Sequence, residues 1–261
     1  MVDLRHSCTY SGSVRAHLLT DEALPGADED AAGVLGEVAV VLDGAGVPQR
    51  FRAGCHHSVA WFSHTLAAHL LLRACDPART LPEALAEAIT AVRDLHADQC
   101  DLDAGSPSAT VVAVRRCEDR LEHLVLCDSS VLLHHRDGTV RRITDDRVDH
   151  LVLADHSAPS VEAMRNAPGG FWLARHEPEA ADEALTGSVP LADLRAVHLV
   201  SDGITRAIDR LGLHTPASLS ETLLTAPEEL LEQLRAAERA LDPARRPRKI
   251  HDDATALTLR W

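Results

Sequence analysis

Short apolar runs in this chain repeatedly stop at, or start from, an acidic residue. EVAVVL runs into Asp43-Gly44, LVLC into Asp128-Ser129 and HLVS into Asp202-Gly203, while Asp252 stands just before the closing apolar run ATALTLR. A further acidic turn, Asp28-Glu29-Asp30, lies in a polar stretch with Pro25 and Gly26. An apolar run bounded by Asp-Gly reads as a strand followed by a turn, so each carboxylate belongs at the rim of a sheet. Several such ends gathered at one rim make an oxygen-rich pocket. Hard divalent cations prefer that donor set, and a pair of them close together is suited to phosphate-ester hydrolysis.

The hydrophobic periodicity supplies the rest of the frame. Residues 14–19, 37–42, 109–117, 121–127, 130–135, 139–143, 197–201 and 254–261 read as strands, with Arg136-Asp137-Gly138 as a hairpin turn. The run 109–143 is expected to form consecutive antiparallel strands, and 21–33 to be a turn. Helical spacing covers 56–75, where Val59, Phe62, Leu66 and Leu70 recur, and 81–99, which opens at Pro82. Further helices are expected at about 204–211, 218–225 and 227–241. Residues 146–195 hold Pro159, Pro168, Gly169, Gly170, Pro178 and Pro190, and read as irregular apart from a short helix near 178–186. So long an irregular segment is usually functional. No linker divides the chain, so one α+β domain over 1–261 is expected.

Composition narrows the partners. A net charge of −14 argues against a nucleic-acid backbone or an anionic membrane, and 3% aromatic content leaves little for base stacking. No run approaches the length of a membrane span. The N-terminal stretch has no apolar signal-peptide core, and the six cysteines show no C-x-x-C spacing. Reduced thiols and a cytoplasmic location are expected.

The motifs DED (28–30), DGAG (43–46), SATV (108–111), CDSS (127–130), SDG (201–203) and DDAT (252–255) occur in that order. Each is weak alone. Together they resemble the metal-dependent serine/threonine phosphatases of the 2C type over nearly the whole chain. The resemblance implies a four-layer α-β-β-α sandwich, with two stacked antiparallel sheets flanked by helix pairs. It implies two Mn²⁺ or Mg²⁺ ions, with Asp43 bridging them. Glu29 and the Gly44 carbonyl would serve one metal, and Asp202 and Asp252 the other. Asp128, with Asp202, would hold a third, weaker ion, and Asp30 would orient metal-bound waters. Residues 146–195 would take the place of the family's flap. The expected partner is a phosphorylated protein or a small phosphorylated compound.

Departures from the family pattern fall where substrate phosphate is handled. Pro25 stands where the family usually has a phosphate-binding arginine, Asp28 replaces an asparagine, Val47 a glycine, and Ala45 a histidine found in some members. Arg15, Arg50 and Arg52 are candidate replacements. These departures carry the second expectation, a catalytically weak or inactive relative that acts as a binding module. Cys55-His56-His57 combines soft ligands, but adjacent residues at a helix start do not usually all face one ion, and no matching Cys/His pair stands out elsewhere. Packing or capping is the plain reading of these histidines. The alternative is that His56 or His57 reaches the pocket as a proton donor. His64, His69 and His96 are expected to be packed or solvated, Asp253 to lie on a solvated face, and Asp145-Asp146 to be a surface charge cluster.

Overall fold

The computed structural model describes residues 14–24, 26–45, 53–154, 158–241 and 250–261. One antiparallel sheet of five strands has the order β1 (Arg15–Asp21), β10 (Ala254–Arg260), β9 (Leu194–Val200), β6 (Ser130–His135) and β7 (Val140–Ile143). The second, also antiparallel and five-stranded, has the order β2 (Ala31–Leu35), β3 (Val38–Leu42), β4 (Val111–Cys117), β5 (Arg120–Leu126) and β8 (Leu185–Pro190). Helices α1 (Val59–Ala74) and α2 (Leu81–His96) cover the outer face of the second sheet. Helices α5 (Asp202–Asp209), α6 (Pro216–Thr225) and α7 (Pro227–Ala240) cover the outer face of the first. The sandwich is therefore the one expected.

Alternation along β3 shows why these strands are apolar throughout. Val38, Val40 and Leu42 pack toward α1 and α2 with Phe62, Leu66, Leu70, Leu85 and Ile89. Ala39 and Val41 point the other way, into the layer between the sheets, with Val112, Val125, Leu133, Leu199 and Leu257. A strand buried on both faces cannot alternate apolar with polar, since period-2 geometry sends successive side chains to two different apolar layers. Helix ends follow from local chemistry. Ser58 caps α1, and Thr80 and Glu83 close a capping box on α2 with Pro82 in its first turn.

Three expectations need correction. The stretch 21–33 is a turn only in its first part, because Ala31–Leu35 pairs with β3 as the edge strand β2; its small residues and Gly33 hid the strand signal. The strands between 109 and 143 do not form one meander. β4 pairs with β5, and β6 with β7, but the chain changes sheets between β5 and β6. It does so through Cys127, whose φ of 70° is left-handed, and Asp128. The described residues of 146–195 are more regular than the prolines suggest. They carry α3 (Arg147–Ala154), α4 (Ala158–Ala163), a 3₁₀ turn at Pro178–Glu183 in place of the expected helix near 178–186, and strand β8 on the edge of β5. Phe171 and Leu173, with Val148, Val161 and Met164, pack against Cys127 and Ala45, which places this segment beside the Asp43 and Asp128 turns.

Candidate metal centre

The acidic turns come from both sheets and meet at one rim. Asp43 follows β3, Asp128 follows β5, Asp202 follows β9 and opens α5, and Asp252 precedes β10. Direct bonds tie these turns together. The Asp202 amide donates to Asp43 Oδ2 at 3.3 Å. Thr110 Oγ1, from the SATV motif, accepts the Asp43 amide at 3.4 Å and lies 2.5 Å from the Ser129 hydroxyl, linking the Asp43 and Asp128 turns. Asp253 accepts the amides of Ala23 and Glu29 at 2.7 and 2.9 Å, and the Ser63 hydroxyl of α1 donates to the Glu29 carbonyl at 2.6 Å. Asp253 is 7% exposed, so the solvated-face reading is wrong: its carboxylate shapes the Glu29 turn. Asp145 is likewise buried, clasped by Arg147, rather than on the surface.

Two glycines of the Asp-Gly motifs serve close approach. A Cβ on Gly44 would lie 2.6 Å from the Glu29 carbonyl oxygen and 2.5 Å from a Val59 methyl. One on Gly203 would lie 1.9 Å from the Asp253 carbonyl oxygen. The first glycine brings the Glu29 turn onto Asp43, and the second brings the Asp252-Asp253 turn onto Asp202. Asp-Gly is here a packing requirement as well as a turn.

Electrostatics show what the rim lacks. Burial raises the Asp43 carboxyl well above its usual range, and the negative charges of Asp30, Asp202, Asp128 and Asp252 raise it further. Asp128 is raised to about 7 by burial and by Asp202. Burial and Asp252 raise Asp202, while Arg206 and Arg210 pull it back. Asp30 rises to about 8, chiefly through burial. The Ser201 and Thr255 hydroxyls stand near enough to favour its anion, yet neither reaches hydrogen-bonding geometry, so both Asp30 oxygens are sealed from solvent without a bond. Asp43, Asp128, Asp202 and Asp252 each keep an edge open to solvent. Carboxylates that repel one another at a partly open rim either bind protons or take up a cation, and an all-oxygen donor set suits Mg²⁺ or Mn²⁺.

The structure also brings in residues that the sequence reading passed over. Arg206, one helical turn beyond Asp202 on α5, is 5% exposed and contacts Asp252 Oδ2 and Glu238 Oε1. The D-x-x-x-R spacing from Asp202 was the available signal, since such residues share a helix face. A cleft of about 40 Å³ beside Asp128 and Asp202 is lined by Arg142, Arg206 and Arg210. Arg142 is already held by Asp209 through two bonds. Arg15 does not lie here: it pairs in register with Arg260, at the far end of β1 from the Asp21–Ala254 pair. Pro25, Val47, Arg50 and Arg52 lie outside the described residues. His56 and His57 turn their rings toward Cys100, with the His57 ring also packed at a tilt against Trp61, centroids 4.0 Å apart.

Comparison with known proteins agrees with this architecture. The protein phosphatase 2C family model matches residues 21–245. Among solved structures, the chain is similar to the serine/threonine phosphatase PstP/Ppp of Mycobacterium tuberculosis, at 18% identity over 95% of this chain and 98% of that one, TM-score 0.63. It is also similar to Stp1 from Staphylococcus aureus, at 17% identity over 100% and 99%, TM-score 0.59. A third similar structure is the PstP catalytic domain in complex with two manganese ions, at 18% identity over 95% and 97%, TM-score 0.59. At such identities these likenesses speak to the fold. No curated protein matches the chain in a sequence comparison. Among the described residues no helix is long and apolar enough to cross a membrane. With the family model spanning most of its length and the sandwich in place, the chain belongs to the protein phosphatase 2C family.

Proposed function

We propose that this protein is a metal-dependent phosphatase that hydrolyses phosphoserine or phosphothreonine in a protein, or a related phosphomonoester. The observation that carries this reading is the convergence of Asp43, Asp128, Asp202 and Asp252 from two different sheets, close enough that the charges of Asp202, Asp128 and Asp252 raise the Asp43 carboxyl, that of Asp202 raises Asp128, and that of Asp252 raises Asp202. Asp43, Glu29 and the Gly44 carbonyl would hold one Mn²⁺ or Mg²⁺ ion, and Asp43 with Asp202 and Asp252 would hold a second. Asp128 and Asp202 would hold a third, weaker ion, and Asp30 would accept hydrogen bonds from metal-bound water. Bound there, the ions would supply a water of lowered pKa and neutralise charge on the phosphoryl oxygens. The chain's own contribution is geometric. Thr110, Ser63 and Asp253 fix the three turns, and the packed segment around Phe171 walls the rim beside Asp43. Arg210, lining the same cleft as Asp128 and Asp202, is a candidate to hold substrate phosphate. The test is Mn²⁺-dependent phosphate release from a phosphopeptide. Wild type should turn over, and Asp43→Asn and Asp202→Asn should each lose activity at least 100-fold. Inactive wild type across metals and phosphopeptides would sink the proposal.

One observation favours a second reading, a catalytically weak or inactive binding module. The buried Arg206 guanidinium already sits on Asp252, a permanent cation where a metal ligand is expected. Calorimetric titration with Mn²⁺ separates the two: a module of this kind binds one ion or none, and a phosphatase binds at least two.

A further inference from the structure

Cys55 and His57, on the loop that leads into α1, meet His96 on the last turn of α2 and Cys100 just beyond it. One ligand atom from each of the four lies within 4.8 Å of every other. Cys55 Sγ is 3.5 Å from His57 Nδ1, 3.3 Å from His96 Nδ1 and 3.3 Å from Cys100 Sγ, and Cys100 Sγ is 3.6 Å from His57 Nδ1. Tetrahedral zinc with bonds of about 2.3 Å to sulfur and about 2.0–2.1 Å to nitrogen spaces its ligand atoms about 3.3–3.8 Å apart. The observed spacing falls in that range, and the two sulfurs would open by roughly 0.5 Å on binding. They stand well beyond the about 2.05 Å of a disulfide.

We infer that Cys55, His57, His96 and Cys100 form a structural zinc site, separate from the acidic rim. Two thiolates and two neutral imidazoles balance the charge of Zn²⁺ and close its coordination sphere, as in sites that hold structure rather than perform chemistry. Soft sulfur donors also sort the metals, leaving Mn²⁺ or Mg²⁺ to the carboxylates. Burial fits the assignment. Cys55 and His96 are 5% and 1% exposed, and His96 Nε2 is sealed in without a hydrogen-bond partner. An imidazole buried so incompletely satisfied is costly, and a metal bond at its other nitrogen offsets that cost. The Trp61 ring packs against both histidines, 4.0 Å from the His57 ring at a 34° tilt and 5.2 Å from the His96 ring.

The backbone around the cluster is already drawn together. The Asp101 amide donates to the Gly54 carbonyl at 2.9 Å, and a Cβ on Gly54 would lie 1.8 Å from the Asp101 carbonyl oxygen. The site would therefore pin the end of α2 to the Gly54–His57 stretch that leads into α1. Position along the chain explains why this escaped a sequence reading. The ligands occur as C-x-H and, about forty residues on, H-x-x-x-C, and only the antiparallel α1–α2 pair brings them together.

Full-length protein, purified under reducing conditions, stripped of metal and reconstituted with Zn²⁺, should retain one zinc per chain through gel filtration. With Co²⁺ it should give the thiolate-to-cobalt charge-transfer absorption of a tetrahedral site, a readout that needs no variant. Cys55→Ser combined with Cys100→Ser should lose both signals, while Asp43→Asn combined with Asp202→Asn should keep both. Wild type that holds no zinc and shows no cobalt–thiolate band, a band that survives in the cysteine variant, or a Cys55–Cys100 disulfide in protein purified anaerobically would each overturn the inference.

Discussion

Arg206 and His198 are two buried polar side chains whose surroundings make specific demands. Arg206 lies between Asp252 and Glu238, and Arg235 and His251 also contact Glu238. Replacing Arg206 with Met takes its guanidinium from Asp252 and from Glu238, which keeps Arg235 and His251, and should cost about 3 kcal/mol in metal-free protein. If Asp252 is a metal ligand, Mn²⁺ should restore more stability to the variant than it adds to wild type, which a urea titration with and without metal measures. His198 lies between β6 and β10, its ring nitrogens 2.9 Å from the Thr258 hydroxyl and 2.8 Å from that of Ser220. Burial, with a smaller effect of His134, lowers its pKa to about 3. The unfolded chain takes up the same proton near pH 6.5. Between these values the unfolded state binds the extra proton, so the contribution of His198 to stability falls as pH drops from about 6.5 toward 3, by up to about 1.4 kcal/mol per pH unit. The stability difference between wild type and His198→Gln, measured at pH 7, 6 and 5, should move in favour of the variant by nearly that slope as pH falls, since the raised Asp30, Asp43 and Asp128 carboxyls act in the opposite sense and equally in both proteins.

At the scale of elements, a carboxylate's usefulness depends on how closely its neighbouring turn can approach. Gly203 lets the first turn of α5 rest on the Asp253 backbone. An Ala there meets a carbonyl oxygen rather than a flexible side chain. Gly203→Ala should destabilise the fold by about 1–3 kcal/mol. It should also weaken Mn²⁺ binding at least tenfold by parting Asp202 from Asp252, a loss that calorimetry reads separately from stability. The strands that carry these turns were visible as apolar runs, because burial on both faces leaves a continuous signature. β2 was not, since an edge strand of small residues has weak periodicity. The order within 146–195 was hidden for another reason: α3, α4 and the Phe171 turn are held by contacts with Cys127 and Ala45, which lie far away in sequence.

For the molecule as a whole, two sheets each contribute half of one acidic rim, so a cation held there, as proposed, would act on the entire sandwich. An ion that binds only the folded state adds stability with concentration, about 2.7 kcal/mol at a hundred times its Kd. Thermal unfolding should therefore rise with Mn²⁺ in wild type and stay nearly flat in Asp43→Asn. A matched rise in both would show that the ion binds elsewhere.

From the sequence by itself, apolar runs and turn residues marked out a layered α+β chain with acidic strand ends, and the order of its motifs carried the resemblance that implied the sandwich and the family, because these signals are local. Tertiary structure decided which turns touch. It showed Asp253 buried as the scaffold of the Glu29 turn, Arg206 placed on Asp252, and His96 with Cys100 meeting Cys55 and His57. Such pairings follow from how helices and sheets stack across long stretches of chain, and residue spacing along one strand or helix carries no record of them. The acidic ends of the strands were legible as a pocket; the cations already built into that pocket, and the second cluster beside α1, became visible only in the folded chain.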